Sequence, residues 1–269
     1  MKTGFKNLDE VIEIKKGELI VIASRPAMGK TTFALNISNY ISLKEKKGVL
    51  FFSLENSKKS IEEKLIISNS MVEKEKLEKN SLLDADRNRI EYGEKLLKNA
   101  PIYIESDAQF SINDICLKSR KIKEEKDIEV IIIDYLQLIQ FDKKKLLSRD
   151  DEITEILRKL KVLAKELDVP VIITSQLSRN CENRDDKRPM IADFTDSKYG
   201  INTYSNKILF LYRDSYYNKE NKSNITEIIV AKNNGGKISN VKIAWLPEYC
   251  KFGNVVVLDN EKGDKNAKW

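Results

Sequence analysis

The residues Ser24–Thr32 read SRPAMGKTT and directly follow the apolar run ELIVIA at residues 18–23. A strand followed by a tight loop, with GKT at the start of a helix, directs backbone N–H groups at an anion. This order predicts a phosphate-binding loop in which Lys30 reaches the β- and γ-phosphates of a nucleotide and Thr31 ligates Mg²⁺. Ser24 stands where such a loop usually opens with glycine, and serine fits there if its φ is negative. The alternative is a simple turn before a helix.

Apolar and amphipathic segments alternate along the chain. Strands are predicted at residues 18–23, 48–55, 101–106, 128–139 and 170–177, and helices at residues 31–43, 57–72, 82–98, 111–126 and 151–167. Strands this apolar are typical of a parallel sheet that is covered by helices on both faces. After residue 206 the helical pattern stops, and the stretches KILFLYRD, ITEIIVAK and NVKIAWLP predict an antiparallel extension. The predicted fold class is therefore α/β, with a mostly parallel central sheet.

Polar side chains follow three of the predicted strands. Asp134 ends VIIID, Glu55 ends LFFSLE and Gln176 ends VIITSQ. The carboxyl ends of parallel strands meet at one edge of a sheet, so these residues are expected beside the loop at Ser24–Thr32. There a carboxylate can hold the hydration shell of Mg²⁺ or polarise a water for attack on the γ-phosphate, and an amide can sense that phosphate. Each residue taken alone could instead be a plain helix cap.

The composition excludes several classes of function. The chain has 269 residues and no histidine, which removes Ser–His and Cys–His nucleophiles and the HExxH zinc site. Three scattered cysteines suggest neither a metal site nor a disulfide framework, so a reducing, cytoplasmic location is expected. No secretory signal or membrane-spanning run is expected either. The net charge of +6 permits a phosphate-rich partner, although solvated lysine-rich surfaces explain it equally well.

Seven motifs stand in the order and spacing of a known family. They are TGFKNLDE, IVIASRPAMGKT, FFSLENS, IIIDYLQLI, LKVLAKELDVPVIITSQLSR, DKRPMIADF and LFLYRD. On these motifs the chain resembles the RecA-like motor domain of replicative DnaB-type helicases, from Thr3 to about Phe252. In that family Arg-Pro is the normal loop opening, so the first glycine is dispensable. The resemblance implies a RecA-like P-loop NTPase domain at residues 1–258, a frayed tail at residues 259–269, and ATP and Mg²⁺ as ligands.

The resemblance also implies roles for individual residues. Glu55 is similar to the family's catalytic base, Gln176 to its coupling glutamine, and Lys30 to its catalytic phosphate-binding lysine. Thr31 and Asp134 are similar to the residues on the magnesium side. The residues implied to bind the nucleotide are Ser24, Arg25, Pro26, Ala27, Met28, Gly29, Lys30, Thr31, Thr32 and Lys232.

Two departures from the family bear on assembly and rate. The family's motor follows an N-terminal domain and a linker helix that docks on the neighbouring subunit, whereas this sequence begins almost at the TGF motif. Weaker ring closure is expected if those parts are absent. The family also has a late K-x-R pair whose arginine reaches the neighbour's site, and here Lys232 is kept while Asn234 replaces the arginine. Slow hydrolysis, or an arginine supplied from elsewhere, is expected because asparagine carries no charge.

The DNA-contacting loop of the family is a third departure. Its R-E-S-G-S-I-E core reads here as TDSKYGIN at residues 195–202, which leaves Lys198 to meet a phosphate. The stretch DKKKLLSR at residues 142–149 is the second candidate, because lysines on such a loop can hold a strand by its charge without reading sequence. Its candidate residues are Lys143, Lys144, Lys145 and Arg149. The alternative for both segments is a solvated loop.

These observations leave three hypotheses. The first is an ATP-driven DnaB-type helicase motor that translocates on single-stranded DNA during replication as a homo-oligomer, a hexameric ring by resemblance. The second is a stand-alone nucleotide-binding module with weak ATPase activity that docks on a replication helicase or another replication protein; the Asn234 replacement favours it. The third, another RecA-type ATPase, is disfavoured by DYLQLI, SQLSR and DKRP. The residues that favour the motor are the retained Lys30, Glu55, Asp134 and Gln176. A binding module has little need of a catalytic base.

Overall fold

The computed structural model describes residues 1–141, 148–194, 198–218 and 220–255. The tail predicted at residues 259–269 lies outside these ranges. The described strands form one nine-stranded sheet. The strands are β1 Leu19–Ser24, β2 Gly48–Ser53, β3 Ile102–Ser106, β4 Ile128–Asp134, β5 Val171–Gln176, β6 Lys207–Tyr212, β7 Ile225–Asn233, β8 Ser239–Leu246 and β9 Lys251–Asn254.

Helices of very different length connect these strands. The α-helices are α1 Lys6–Asp9, α2 Lys30–Leu43, α3 Lys58–Ser70, α4 Lys74–Glu78, α5 Asp84–Asn99, α6 Ile112–Glu125, α7 Arg149–Glu166, α8 Lys198–Tyr204 and α9 Asp214–Tyr217. Short 3₁₀ turns lie at Leu136–Leu138, Arg179–Asn183, Ile191–Asp193 and Pro247–Tyr249. Within the described part of the chain, no helix is both long enough and apolar enough to span a bilayer.

The strand order in the sheet is β3-β2-β4-β5-β1-β6-β7-β8-β9. The first six strands of this order are parallel, and β1 lies between β5 and β6. All six residues of this central strand are buried. The predicted α/β fold class, with a mostly parallel central sheet, is confirmed. Its strands are apolar on both sides because helices cover both faces of the sheet.

The antiparallel extension begins one strand later than predicted. The stretch KILFLYRD forms β6, which pairs parallel with β1 through Ile20↔Lys207 and Val21↔Ile208. Among the described strands, the antiparallel pairs are β6–β7, β7–β8 and β8–β9, and β9 had no predicted counterpart. Residues 128–139 were predicted as one strand, but β4 ends at Asp134 and a 3₁₀ turn follows. The prediction that helices stop after residue 206 was also wrong, because α9 follows β6.

Two hydrophobic clusters cover the two faces of the sheet. Alternate residues of β1 belong to different clusters, because successive strand side chains point to opposite faces. Leu19, Val21 and Ala23 pack with residues of α6 and α7, whereas Ile20 and Ile22 pack with residues of α2 and α3. This packing fixes the carboxyl ends of β1, β2, β4 and β5 side by side at one edge of the sheet, here called the carboxyl edge.

Candidate functional site

The loop between β1 and α2 lies at the carboxyl edge. Gly29 adopts a φ of +92°, and a Cβ atom at this position would lie 2.8 Å from Cζ of Phe252. Both facts require glycine immediately before α2. Ser24 is the buried last residue of β1, so its backbone is extended and needs no positive φ. Its hydroxyl donates a hydrogen bond to the Arg25 carbonyl over 2.9 Å, and serine thus replaces the usual glycine without strain.

Asp134 lies at the centre of the site. It is the last residue of β4 and is fully buried. The Thr31 hydroxyl donates to one carboxylate oxygen of Asp134 over 2.7 Å, and the Thr174 hydroxyl donates to the other over 2.5 Å. Burial removes the water that would otherwise solvate these oxygens, and the two hydroxyl donors give each oxygen a hydrogen-bond partner. Thr31 and Asp134, which were each predicted on the magnesium side, therefore lie in direct contact in the structure.

Lys30 is the first residue of α2 and is enclosed by this edge. Its ammonium lies 4.9 Å from the ring centroid of Tyr135, the residue after Asp134. Burial lowers the pKa of Lys30, and the nearby carboxylates of Asp134 and Glu55 oppose that lowering. Burial also raises the pKa of Tyr135, and the same two carboxylates add to that rise. These interactions bring the ammonium and both acidic groups together at one site.

A network of hydrogen bonds shapes the turn that carries Glu55. The Ser53 hydroxyl donates to the Asn56 carbonyl over 2.7 Å, and Lys64 donates to the Asn56 side-chain oxygen over 3.0 Å. The Leu54 N–H donates to the Asp134 carbonyl over 2.9 Å, which joins this turn to the end of β4. The Glu55 side chain itself is exposed. A carboxylate held in a fixed turn and open to water suits a general base.

Gln176 ends β5 and pairs in register with Ser24 at the end of β1. Its side chain is exposed at the carboxyl edge. The structure thus brings Gln176 to the same edge as Lys30, Glu55 and Asp134, as the sequence predicted.

The other predicted loop residues differ in their environment. Pro26 and Ala27 are exposed, Met28 is buried in the core, and Thr32 is partly buried in the first turn of α2. The Arg25 side chain binds elsewhere, because its guanidinium donates to the Leu177 carbonyl over 2.7 Å and to Glu182 over 2.8 Å. Any contribution of Arg25 to nucleotide binding therefore falls to its backbone.

Lys232 lies away from the loop of its own chain. It pairs with Ile208 near the start of β6, which places it toward the opposite, amino edge of the sheet. Its ammonium donates to the Asn202 carbonyl. Asn234 follows β7 at the same edge, and its N–H donates to the Asn206 carbonyl over 3.0 Å. The binding of nucleotide by Lys232 stays a prediction.

Arg213 and Trp245 lie at the carboxyl edge and had no predicted role. Arg213 follows β6 and donates to the Ala27 carbonyl of the loop over 2.5 Å. Its guanidinium lies 5.2 Å from the ring centroid of Trp245, whose ring contacts that of Phe252. Within the described residues, Nε of Arg213 is buried without a hydrogen-bond partner. Arg213 directly follows the strand KILFLY, so the strand-end pattern that identified Asp134 could also have identified it.

The DNA candidates that the structure describes lie at one end of α7. Arg149 begins α7 and Lys198 begins α8, and both are exposed. Gly200 of α8 lies directly against Thr154 of α7, so the two helices are in close contact. Arg149 also pairs with Glu152 over 2.8 Å, which offsets part of its charge. The candidates Lys143, Lys144 and Lys145 lie outside the described residues.

Comparison with known proteins identifies the family. The sequence pattern of the DnaB-like helicase C-terminal domain matches residues 1–254. The chain belongs to this family. It is 40% identical over 255 residues to the replicative DNA helicase DnaB of Geobacillus stearothermophilus, a match that covers 94% of this chain and 56% of that protein. The chain therefore spans about half the length of the curated DnaB relatives it matches.

Two solved structures share the fold of this DnaB-like domain. The first, an ATPase domain, is 37% identical with a TM-score of 0.90, and the match covers 94% of this chain and 90% of that one. The second, a DnaB-like replicative helicase described with its primase interactions, is 37% identical with a TM-score of 0.89. That match covers 94% of this chain and 61% of the other. The RecA-like fold expected from the motifs is thus confirmed.

Proposed function

We propose that this DnaB-like domain hydrolyses ATP and uses the energy to move along single-stranded DNA during replication. The observation that carries the proposal is the hydrogen bond between Thr31 and Asp134, with Lys30 and Glu55 beside it at one sheet edge. A phosphate loop alone would support nucleotide binding. The additional carboxylate in a solvent-open turn supports hydrolysis.

Each residue at the carboxyl edge has its own role in the proposed hydrolysis of ATP. Backbone N–H groups at the start of α2 bind the β-phosphate, since a helix N-terminus presents unpaired donors to an anion. Lys30 neutralises the charge that develops on the γ-phosphate. Glu55 orients the attacking water and accepts its proton, and Gln176 contacts the γ-phosphate through its amide.

The donor set at this edge fits Mg²⁺. A threonine hydroxyl and a carboxylate are hard oxygen ligands, and Mg²⁺ binds through few protein ligands while it keeps several waters. Thr31 and Asp134 would hold the ion or its water shell in place of their mutual hydrogen bond. When bound with ATP, Mg²⁺ neutralises charge on the β- and γ-phosphate oxygens.

The adenine base is expected near Arg213 and Trp245. Arg213 contacts the loop through the Ala27 carbonyl, and both side chains of the pair are only partly buried. A guanidinium and an indole each stack on flat aromatic rings. Stacking without base-edge hydrogen bonds would give little discrimination between nucleotides.

We expect DNA to bind near the start of α7 and copies of the chain to associate near the end of β7. Arg149 and Lys198 lie near the start of α7, and a basic surface there would hold a strand by its phosphates. Lys232 and Asn234 lie at the opposite edge, away from the phosphate loop of their own chain. This arrangement supports a head-to-tail homo-oligomer. A replication protein such as a primase is a further expected partner, because a DnaB-like relative is described with one.

The second candidate function is a nucleotide-binding module that regulates a replication helicase. The observation in its favour is Asn234 at the position of the family's arginine, which removes one source of transition-state stabilisation. This candidate predicts tight nucleotide binding, little turnover and no response to DNA.

ATP turnover with and without single-stranded DNA separates the two candidates. We expect DNA to stimulate the wild-type rate, and Glu55→Gln to lower kcat by at least about 100-fold because the general base is lost. Nucleotide affinity should change little in Glu55→Gln. The matched control is Glu63→Gln, which changes an exposed glutamate of α3.

Two results would contradict the motor. One is a wild-type rate that DNA leaves unchanged while nucleotide binds tightly. The other is a Glu55→Gln variant that turns over ATP as fast as Glu63→Gln. Lys30→Ala should abolish nucleotide binding under both candidates, so it tests the site and not the role.

A further inference from the structure

The side chain of Gln137 holds the backbone of Gln176 on two sides. Its amide oxygen accepts the Gln176 N–H over 3.1 Å, and its amide nitrogen donates to the Gln176 carbonyl over 3.1 Å. The same nitrogen donates to the hydroxyl of Ser175 over 2.9 Å, and Ser175 is fully buried. Gln137 lies in the 3₁₀ turn Leu136–Leu138 just after β4. The end of β5 is therefore tied to the turn that follows Asp134.

The backbone of Gln137 makes a contact in the other direction. Its carbonyl accepts a hydrogen bond from the guanidinium of Arg149 over 2.8 Å. Arg149 is the first residue of α7 and also binds Glu152 in the same turn. One residue thus contacts both the strand end that carries Gln176 and the helix start that carries a DNA candidate.

We propose that Gln137 is a positioning residue that couples the state of the γ-phosphate to the start of α7. This inference rests on the proposed function, since it assumes that DNA stimulates ATP hydrolysis. Gln137 is not assigned a contact with ATP or DNA. It acts through Gln176 on one side and through Arg149 on the other.

The chemistry of the glutamine side chain explains why it suits this role. A primary amide is both a donor and an acceptor, so it can pair with an N–H and a carbonyl of the same residue. Glutamate would keep the acceptor but place a carboxylate against the Gln176 carbonyl, and alanine would remove both bonds. A movement of Gln176 toward or away from a phosphate therefore displaces Gln137, and with it the hydrogen bond to Arg149.

The test compares Gln137→Ala and Gln137→Glu with wild type. We expect the ratio of the DNA-stimulated to the basal ATPase rate to fall about five- to tenfold in Gln137→Ala, in line with the coupling lost at single linking residues. The ratio in Gln137→Glu should lie between the ratios of wild type and Gln137→Ala. The Kd of a non-hydrolysable ATP analogue should stay within about twofold, because no contact with the nucleotide is removed.

The matched control is Gln140→Ala. Gln140 is an exposed glutamine three residues later that bonds through its backbone to the segment at Phe110 and Ile112. We expect it to keep the wild-type stimulation ratio. Thermal melting of each variant with the ATP analogue bound shows whether it is folded, and Gln137→Glu preserves the size of the side chain if Gln137→Ala proves unstable.

The outcomes separate this inference from the proposed function. A wild-type rate without DNA stimulation overturns both. Stimulation that is normal in wild type and equally normal in Gln137→Ala and Gln137→Glu overturns only the role of Gln137. Basal and stimulated rates that fall in equal proportion, together with weaker analogue binding, also overturn it, because they indicate a general structural defect.

Discussion

At the scale of single residues, Lys30 is a partly buried cation whose environment is unfavourable without nucleotide. Burial lowers the pKa of its ammonium, although Asp134 and Glu55 lie close by. A lowered pKa means that the folded chain disfavours the protonated form relative to the unfolded chain. The phosphates of a nucleotide would supply the missing negative charge, so the site carries a cost that ligand binding relieves.

Lys30→Met is therefore expected to act in opposite directions with and without nucleotide. The nucleotide-free variant should melt higher than wild type at pH 7, by no more than about 2–4 °C, because a partly buried charge is removed. The stabilisation that an ATP analogue gives to wild type should be absent. Differential scanning fluorimetry with and without the analogue measures both effects, and Lys64→Met, in the turn network of Glu55, is a comparison in which analogue stabilisation should persist.

The dependence on pH has a definite sign. Between the folded and the unfolded pKa of Lys30 the unfolded chain binds more protons, so the contribution of this group to the free energy of unfolding rises with pH up to about 10.5. Below the pKa of Lys30 in the folded chain, the full unfavourable contribution of its charge to the free energy of unfolding is present. The difference between wild type and Lys30→Met should shrink as pH rises through that window, and a difference that grows would contradict this account.

At the scale of elements, the contact between α7 and α8 depends on Gly200. A Cβ atom there would lie 2.7 Å from the Thr154 hydroxyl and 2.9 Å from Thr154 Cα. The backbone of α7 cannot yield as a side-chain tip can, so any larger residue would push α8 and Lys198 outward.

Gly200→Ala is expected to lower the free energy of unfolding by about 1–3 kcal/mol, the usual range for overpacking. It should also weaken single-stranded DNA binding more than nucleotide binding, because α8 carries Lys198 whereas the phosphate loop belongs to β1 and α2. Urea denaturation and DNA titration measure the two effects. Gly253→Ala is the control, since a Cβ there meets only ordinary contacts at 3.8 Å and beyond; equal losses in both variants would refute the prediction.

Some features of the helices and strands could be predicted from the sequence, and others could not. The buried strands and the edge that gathers Glu55, Asp134 and Gln176 could be predicted, because apolar runs and polar strand ends are local signals. The parallel pairing of β6 with β1 could not be predicted, because an apolar strand has the same pattern whether it pairs parallel or antiparallel. The turn at Leu136–Leu138 was hidden because its leucines continue the apolar run of β4 while they pack as a 3₁₀ turn.

At the scale of the whole molecule, residues of one functional set lie at opposite edges of the sheet. The order of the motifs along the chain predicted that Lys30 and Lys232 both bind nucleotide. Only the strand order shows that the two residues are far apart within one chain. Arg25 was likewise assigned to the binding loop by motif, whereas contacts with Leu177 and Glu182 decide the position of its side chain.

Asn234→Arg is expected to raise DNA-stimulated turnover by about tenfold or more if copies associate head to tail, because an arginine in trans stabilises the transition-state charge. Asn240→Arg, at an exposed position of β8, adds the same charge on a neighbouring strand and should not raise the rate. Steady-state ATPase assays beside sizing chromatography provide the measurement. Unchanged turnover in assembled Asn234→Arg would count against an arginine acting in trans from this position.

The separation of the two edges gives any stack of these subunits a polarity. Turning one copy over would set two phosphate loops, or two ends of β7, face to face, and neither arrangement would complete a site. If the head-to-tail contacts close into a circle, the two ends of its central channel must differ chemically. A DNA strand passing through would then meet a different set of side chains at each end, and the strand order of the sheet would determine which residues lie at which end.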